Sequence, residues 1–266
     1  MPLAVCATPI GNLDDITLRV LDELRSADVV LAEDTRHTRG LLERHEIAAT
    51  LLSYHEHNEA SRVAELLPRL EAGERVALVT DAGMPLVSDP GARLVRAALD
   101  AHVPVTVLPG ASAVETALVA SGLGGGSYAF VGFLPRKPGE LEALWRQTSS
   151  WGCPLVAFES PQRVGASLRS LAAVDPAREV AVCRELTKRF EEVVRGPAAS
   201  LADRFVEPPK GEVTLVVGPG VAALDVDGAL SAVGDLVAAG APRGVAAEVV
   251  ARLSGVPRND LYRGTL

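Results

Sequence analysis

The strongest constraint on this chain is a rhythm. Short aliphatic and β-branched runs alternate with amphipathic stretches, and Gly- or Pro-rich corners join many of them. Leu3–Thr8, Asp28–Ala32, Thr50–Ser53, Arg75–Thr80 and Val103–Leu108 have the length and composition of strands. Thr17–Ala27, His37–His45, Glu59–Leu70, Gly91–Ala101 and Ala113–Ser121 carry apolar residues at helical spacing. Alternation of this kind predicts a parallel-rich sheet with helices packed on its faces.

Beyond residue 126 the spacing changes. Strand patterns at Ser127–Phe133, Pro154–Phe158, Glu179–Arg184, Glu192–Arg195 and Glu212–Val217 have less helix between them. The intervening helices are Gly139–Thr148, Arg163–Ala173 and Ala198–Phe205, so a mixed sheet is predicted. The glycine run at Gly122–Gly126 suggests a joint. The expected organisation is an N-terminal α/β domain over 1–121, a second α/β domain over 122–224, and a small helical tail over 225–266. Three short helices are predicted in the tail, at Gly228–Ala239, Arg243–Leu253 and Arg258–Tyr262. Helix–turn–helix spacing is compatible with them, and the tail reads either as a packing appendage or as a nucleic-acid contact.

Charge narrows the partners. The formal net charge is −8, which argues against an indiscriminate nucleic-acid or membrane-surface binder. The excess is local: residues 1–135 sum to −8, whereas residues 136–196 sum to +2. Three scattered cysteines, Cys6, Cys153 and Cys183, form neither a disulfide framework nor a zinc motif and suit a reducing cytoplasm. The N-terminus has no signal-peptide pattern, and the longest uncharged run is broken by glycines, so no membrane role is expected.

Chemistry is expected at the strand-end corners, because ligands of α/β sheets bind at the carboxyl ends of strands. Thr8-Pro9-Ile10-Gly11-Asn12-Leu13 follows the first strand, but it is neither a dinucleotide fingerprint nor a P-loop, and Asp14 or Asp15 could simply cap the next helix. In Asp81-Ala82-Gly83-Met84-Pro85, Asp81 has no structural explanation and Gly83 permits close approach of a ligand. Asp89-Pro90 reads as an N-cap followed by Pro at the first helical position. Ser112 and Glu115 have capping-box spacing after Leu108-Pro109-Gly110, and the helix start beside Ala113 offers N–H groups to a carboxylate. Ser160-Pro161 reads as another helix start, with Glu159 after Phe158 unexplained. Charged clusters at Glu33–Arg39 and Arg184–Glu191 follow two further strands. His55 and His57 lack a third ligand motif, so no metal is expected.

Taken together, these corners resemble the tetrapyrrole methylase family, and more closely its RNA-modifying branch. The resemblance rests on Thr8–Thr17, Ala32–Thr38, His57-Asn58-Glu59, Asp81–Pro85 with Asp89-Pro90-Gly91, and Leu108-Pro109-Gly110. It continues through Gly132–Pro135, Glu159-Ser160, Arg184–Lys188 and Lys210-Gly211-Glu212, in order over roughly residues 3–217, and the helical tail is similar too. It implies two α/β domains of the tetrapyrrole methylase type with a cofactor cleft between them, plus the small C-terminal helical segment. It also implies S-adenosylmethionine as cofactor, methylation of the ribose 2′-oxygen of a cytidine in the decoding region of 16S rRNA, and a homodimer. Met84 and Cys183 depart from the residues common in the family at those places.

The resemblance carries roles onto named positions. Pro9, Gly11, Asp81, Ala82, Gly83, Pro109, Gly110, Ser112, Ala113, Phe158 and Glu159 match segments that wall the cofactor. Deprotonating a weakly acidic hydroxyl calls for a base or a cation. Asp34 or His37 is the candidate base, and Lys188, Arg36 or Arg184 a phosphate or alkoxide contact. Arg136, Lys137 and Arg163 could add phosphate contacts with the rRNA or the small ribosomal subunit. A tetrapyrrole C-methyltransferase is the alternative on the same fold, and a non-catalytic nucleic-acid-binding regulator the alternative outside it.

Overall fold

The computed structural model describes residues 2–220 and 226–266. The first sheet is built from β1 (Leu3–Cys6), β2 (Val29–Ala32), β3 (Leu51–Ser53), β4 (Val76–Leu78) and β5 (Val105–Leu108). Its order is β3-β2-β4-β1-β5 and every pairing is parallel. Strands β1, β2 and β4 are buried on both faces, which explains their unbroken apolar runs. Side chains on opposite faces enter different cores. Leu3, Val5, Val29, Leu31, Val76 and Leu78 pack with Leu66 and Leu70 of α3 (Glu59–Glu71) and with Leu94 and Ala98 of α4 (Ala92–Asp100). Ala4, Cys6, Val30, Ala32 and Ala77 pack with Val20, Leu21 and Leu24 of α1 (Leu18–Ser26) and Leu42 of α2 (Thr35–Arg44). The period of two along each strand thus divides the helices between the two faces.

The second sheet comprises β6 (Ala129–Phe133), β7 (Leu155–Glu159), β8 (Glu179–Arg184), β9 (Glu192–Pro197) and β10 (Val213–Val217). Its order is β6-β7-β10-β8-β9, with only β6 and β7 parallel, so the mixed sheet is as expected. Helix α5 (Ala113–Ser121) buries Val114 and Ala117 against Val156, Ala181, Cys183 and Val216 of this sheet. A division at 121/122 would assign α5 to the first half, but its packing lies with the second. Helices α6 (Pro138–Thr148), α7 (Val164–Val174) and α8 (Ala198–Arg204) complete this part of the chain, with α7 packed on α8. Both sheets lie in one compact unit, Met1–Arg146 with Cys153–Pro219.

Residues Gln147–Gly152 and Gly220–Leu266 form a second compact unit. It contains α9 (Val226–Ala238), α10 (Arg243–Ser254) and α11 (Arg258–Gly264), close to the predicted spans. Val233, Ala246, Ala247 and Leu261 form its small core. The expected boundary at 224/225 lies outside the described residues. Among the described residues, no helix is long and apolar enough to cross a membrane.

Several helix starts differ from expectation. Thr17, not Asp14 or Asp15, caps α1 by accepting from the Val20 N–H at 3.2 Å. Helix α4 begins at Ala92 behind Gly91, so Asp89 is not its cap. Helix α7 begins at Val164 behind Arg163, not at Ser160-Pro161. At α5 the capping box is incomplete: Ser112 occupies the cap position, but its hydroxyl donates to the Glu115 carboxylate instead of capping the backbone.

Candidate active site

The strand-end corners of the first sheet and the inner surface of the second enclose a cavity of about 530 Å³. That volume lies within the usual range for small-molecule sites. The corner after β4 supplies Asp81, Ala82, Gly83, Met84 and Asp89, the corner after β2 supplies Glu33, and the corner after β1 supplies Ile10. Ser112, Ala113 and Val114 line it from the start of α5. Phe133, Phe158, Cys183 and Thr214 line it from the second sheet.

The corner after β4 is held at both ends. Thr8 and Gly83 exchange backbone hydrogen bonds of 2.8 and 3.1 Å, and the Thr8 hydroxyl donates to the Thr80 carbonyl at 3.0 Å. Gly83 stands at φ +84°, open to glycine at little cost. At the far end, the buried Glu59 carboxylate accepts from the Tyr54 hydroxyl at 3.1 Å and the Gly91 N–H at 2.9 Å. Between these anchors Leu86 and Ser88 adopt φ of +72° and +69°, a backbone form that non-glycine residues take only when their surroundings hold them.

One wall is acidic. Burial, reinforced by the Asp81 carboxylate, raises the Glu33 pKa. Burial pushes the Asp89 carboxyl from an ordinary 3.8 up to about 6, with Glu33 and Asp81 adding repulsion and a Thr80 hydrogen bond opposing. Asp81 accepts from the Asp34 N–H at 3.0 Å, which ties the β4 corner to the β2 corner. Opposite this wall, Phe158 makes edge contacts with Phe130 and Phe133 at centroid distances of 5.0 and 5.5 Å. The Cys183 thiol is pushed up to about 11 by burial and is no nucleophile near neutrality. At α5, the Ala113 and Val114 N–H groups belong to the first turn, which the helix cannot satisfy from within. They lie at the cavity wall, where a carboxylate would complete them.

Of the expected cofactor wall, Asp81, Ala82, Gly83, Ser112, Ala113, Phe158 and Glu159 line the cavity. Pro9, Gly11, Pro109 and Gly110 flank it without lining it. Two of these glycines serve close chain approach. A Cβ on Gly11 would come within 2.5 Å of Lys188 Cγ, and one on Gly110 within 2.8 Å of Ala7 Cβ. The Glu159 carboxylate accepts from Arg163, the Ser160 N–H and the Ser167 hydroxyl, so it organises the wall instead of facing a ligand.

The expected base and cations stand outside the cavity lining. Asp34 caps α2 through the Arg36 N–H and binds the Arg36 guanidinium with both oxygens. The Arg36 hydrogen bonds hold its carboxyl well below the usual range, which makes it a poor proton acceptor. His37 is exposed and does not line the cavity. Lys188 binds Glu185 and Glu212, Arg163 binds Glu159, Arg184 binds Glu192, and Lys137 binds Glu140. Arg136 is exposed. None of these cations lines the cavity. Asp89 is the residue that helix-start reasoning concealed: a capping role explained it completely until α4 proved to begin later. A second aspartate in the same Gly/Pro-rich corner was the available signal.

A family model described as Tetrapyrrole (Corrin/Porphyrin) Methylases matches residues 2–202. The ribosomal RNA small subunit methyltransferase I of Micromonospora olivasterospora is 47% identical over 265 residues, covering 98% of this chain and 85% of the relative. The protein of the same name from Mesorhizobium japonicum is 43% identical over 267 residues, covering 99% of this chain and 91% of that one. Among solved structures, the methyltransferase CobJ superposes with a TM-score of 0.62 at 21% identity, covering 82% of this chain and 93% of CobJ. Uroporphyrin-III-C-methyltransferase from Thermus thermophilus gives 0.57 at 24%, covering 81% and 93%. These structural likenesses speak for the fold. With the family model spanning most of the sequence and relatives of 43–47% identity aligned over 98–99% of it, the chain belongs to the tetrapyrrole (corrin/porphyrin) methylases.

Proposed function

We propose that this protein is an S-adenosylmethionine-dependent methyltransferase of small-subunit ribosomal RNA, and that it methylates the ribose 2′-oxygen of a cytidine in the decoding region of 16S rRNA. The observation that carries the reading is the 47% identity along 98% of the chain to a relative named for that class of substrate. A homodimer in the cytoplasm belongs to the same reading.

The cavity residues fit the cofactor. Its volume suits a nucleoside-sized ligand, the first-turn N–H groups of α5 suit a carboxylate, and Phe158 and Phe133 offer aromatic surface to a base. Asp81, Ala82 and Gly83 would hold it from the first sheet, with the Asp81 carboxylate as acceptor for a hydroxyl or amine. When bound, S-adenosylmethionine would supply an electrophilic methyl on its sulfonium, with the neutral thioether as the leaving group.

The protein then has two tasks, positioning and deprotonation. Positioning falls to the braced corner after β4 and to the start of α5. For deprotonation, Asp89 replaces Asp34 and His37: it lines the cavity, and its carboxylate is more basic than an ordinary aspartate. Asp89 takes the proton of the 2′-hydroxyl as the oxygen attacks, and Glu33 and Thr80 share its surroundings.

The test is methyl transfer from labelled S-adenosylmethionine to unmodified small subunits, to naked 16S rRNA and to a porphyrinoid precursor. Label at a cytidine 2′-oxygen is expected. Label only in the porphyrinoid would overturn the reading in favour of a C-methyltransferase, and absence of cofactor binding would remove the enzyme altogether.

A further inference from the structure

The basic side chains first expected to meet RNA are mostly tied to carboxylates of their own chain. A different cation is not. Arg189 is exposed and, among the described residues, forms no ion pair. Its guanidinium lies over the ring of Phe190, 5.6 Å from the centroid, and Phe190 is itself 66% exposed. An exposed aromatic ring paired with a guanidinium offers a face and a charge for stacking on a planar base.

The loop that carries this pair is not slack. It joins β8 to β9 through Glu185 and Thr187, both at positive φ, 52° and 64°. The Thr187 N–H donates to Glu191 at 2.6 Å, and the Thr187 hydroxyl accepts from the Asn12 N–H at 3.0 Å, which ties the loop to the corner after β1. Lys188 Nζ reaches Glu185 and Glu212, each at 2.9 Å. The Glu185 carboxylate also accepts from the Glu212 N–H at 3.0 Å. Leu186 and Glu212 line the cavity, so the braced loop forms part of its wall, and Arg189 and Phe190 follow Lys188 in that same loop, both exposed.

We propose that Arg189 and Phe190 form a rigid stacking platform at the cavity rim, on which an unpaired RNA base next to the target nucleotide is laid. Phe190 supplies the ring face and Arg189 the positive charge against the adjoining phosphate. The platform deepens the rRNA reading and depends on it. Single-stranded RNA is read in this way because unstacked bases offer π-faces and no duplex geometry. The ordered loop would lose little further freedom on binding, which favours affinity.

The experiment compares wild type with Phe190→Ala, Phe190→Leu, Phe190→Trp and Arg189→Ala. KM for unmodified small subunits, kcat, affinity for S-adenosylmethionine by calorimetry, and affinity for a short single-stranded oligoribonucleotide are read for each. Phe190→Ala is expected to raise KM for subunits and weaken oligonucleotide binding by about tenfold, the scale of one lost base–aromatic stack. Affinity for S-adenosylmethionine stays at the wild-type value, which certifies the fold. Phe190→Trp retains function, and Phe190→Leu behaves like the alanine variant. Equal KM and equal oligonucleotide affinity for Phe190→Ala and wild type would overturn the platform. So would a change only in sedimentation, which would assign Phe190 to a protein interface. A wild-type enzyme inactive on subunits would instead overturn the rRNA reading, and the oligonucleotide arm would still decide the platform.

Discussion

Replacing Asp89 with Asn separates catalysis from stability in one variant. The side chain keeps its size and loses its basicity. General-base removal costs about 10²–10⁴ in rate, so kcat for methyl transfer should fall at least about a hundredfold at pH 7.5. In the wild type, kcat/KM should fall tenfold per pH unit below a midpoint near 6, the value to which burial and the neighbouring carboxylates push Asp89. The groups facing it are Glu33, Asp81 and Thr80, with Asp34 and His55 acting on Glu33. That limb should vanish in Asp89→Asn.

The stability sign is opposite. A folded-state pKa raised from 3.8 to about 6 favours folding while the group is protonated. This favourable share is complete below about pH 4 and is lost as pH rises through about 6. At pH 7.5 the charged Asp89 therefore opposes folding relative to a neutral isostere. The full linkage would be roughly 3 kcal/mol. Asp89 is only partly buried, so solvent screening leaves about 1 kcal/mol. For a protein of this size that is a rise of about 2–4 °C in Tm at pH 7.5, absent at pH 3.5. Differential scanning calorimetry at the two pH values and initial-rate methylation from pH 5 to 9 read both effects. A variant that keeps its rate within threefold, or a persistent acid limb, or a lower Tm at pH 7.5, would refute the assignment.

Other perturbations test the surroundings. Asp81→Ala removes a cavity carboxylate and the acceptor of the Asp34 N–H, and should weaken S-adenosylmethionine about 10–100-fold by calorimetry, the scale of a charge-assisted hydrogen bond; unchanged affinity would take Asp81 out of the site. Glu159→Ala leaves Arg163 and Ser167 without their shared carboxylate, and should cost about 3 kcal/mol in urea unfolding. Gly11→Ala forces a methyl against Lys188 Cγ, Thr187 Oγ1 and the Leu186 carbonyl, at 2.5, 2.7 and 2.9 Å. It should cost about 1–3 kcal/mol and lower activity by moving the rim, while Gly40→Ala, inside α2 with nothing within 4 Å of its Cβ, should stabilise by about 0.5–1 kcal/mol and leave activity unchanged.

Much of the architecture was legible because it is local. Strand and helix periodicities name elements without reference to partners, and the runs at β1, β2 and β4 were apolar on both faces because both faces are covered. The corner at Asp81-Ala82-Gly83 was legible for the same reason: an acid and a glycine at the end of an apolar strand have no local use. Asp89 was misread because its local explanation, a cap before proline, was sufficient in sequence and wrong in space. Asp34 and Glu159 were misread in the other direction. Each looked unclaimed until the structure placed Arg36 on one and Arg163 and Ser167 on the other.

The sequence by itself therefore determined the elements, the mixed character of the second sheet, the strand-end corners that line the cavity and, through its motifs, the family. Tertiary structure alone decided which charges are free. Sequence spacing permits pairs such as Asp34–Arg36, Lys137–Glu140, Glu159–Arg163 and Glu185–Lys188, but only the folded backbone shows that the side chains meet, and Lys188–Glu212 joins segments 24 residues apart. The net charge of −8 says little about RNA for the same reason. Most of the cations first expected to bind RNA are neutralised at home, whereas Arg189, exposed and set over Phe190 by a braced loop, stands out only in the folded structure.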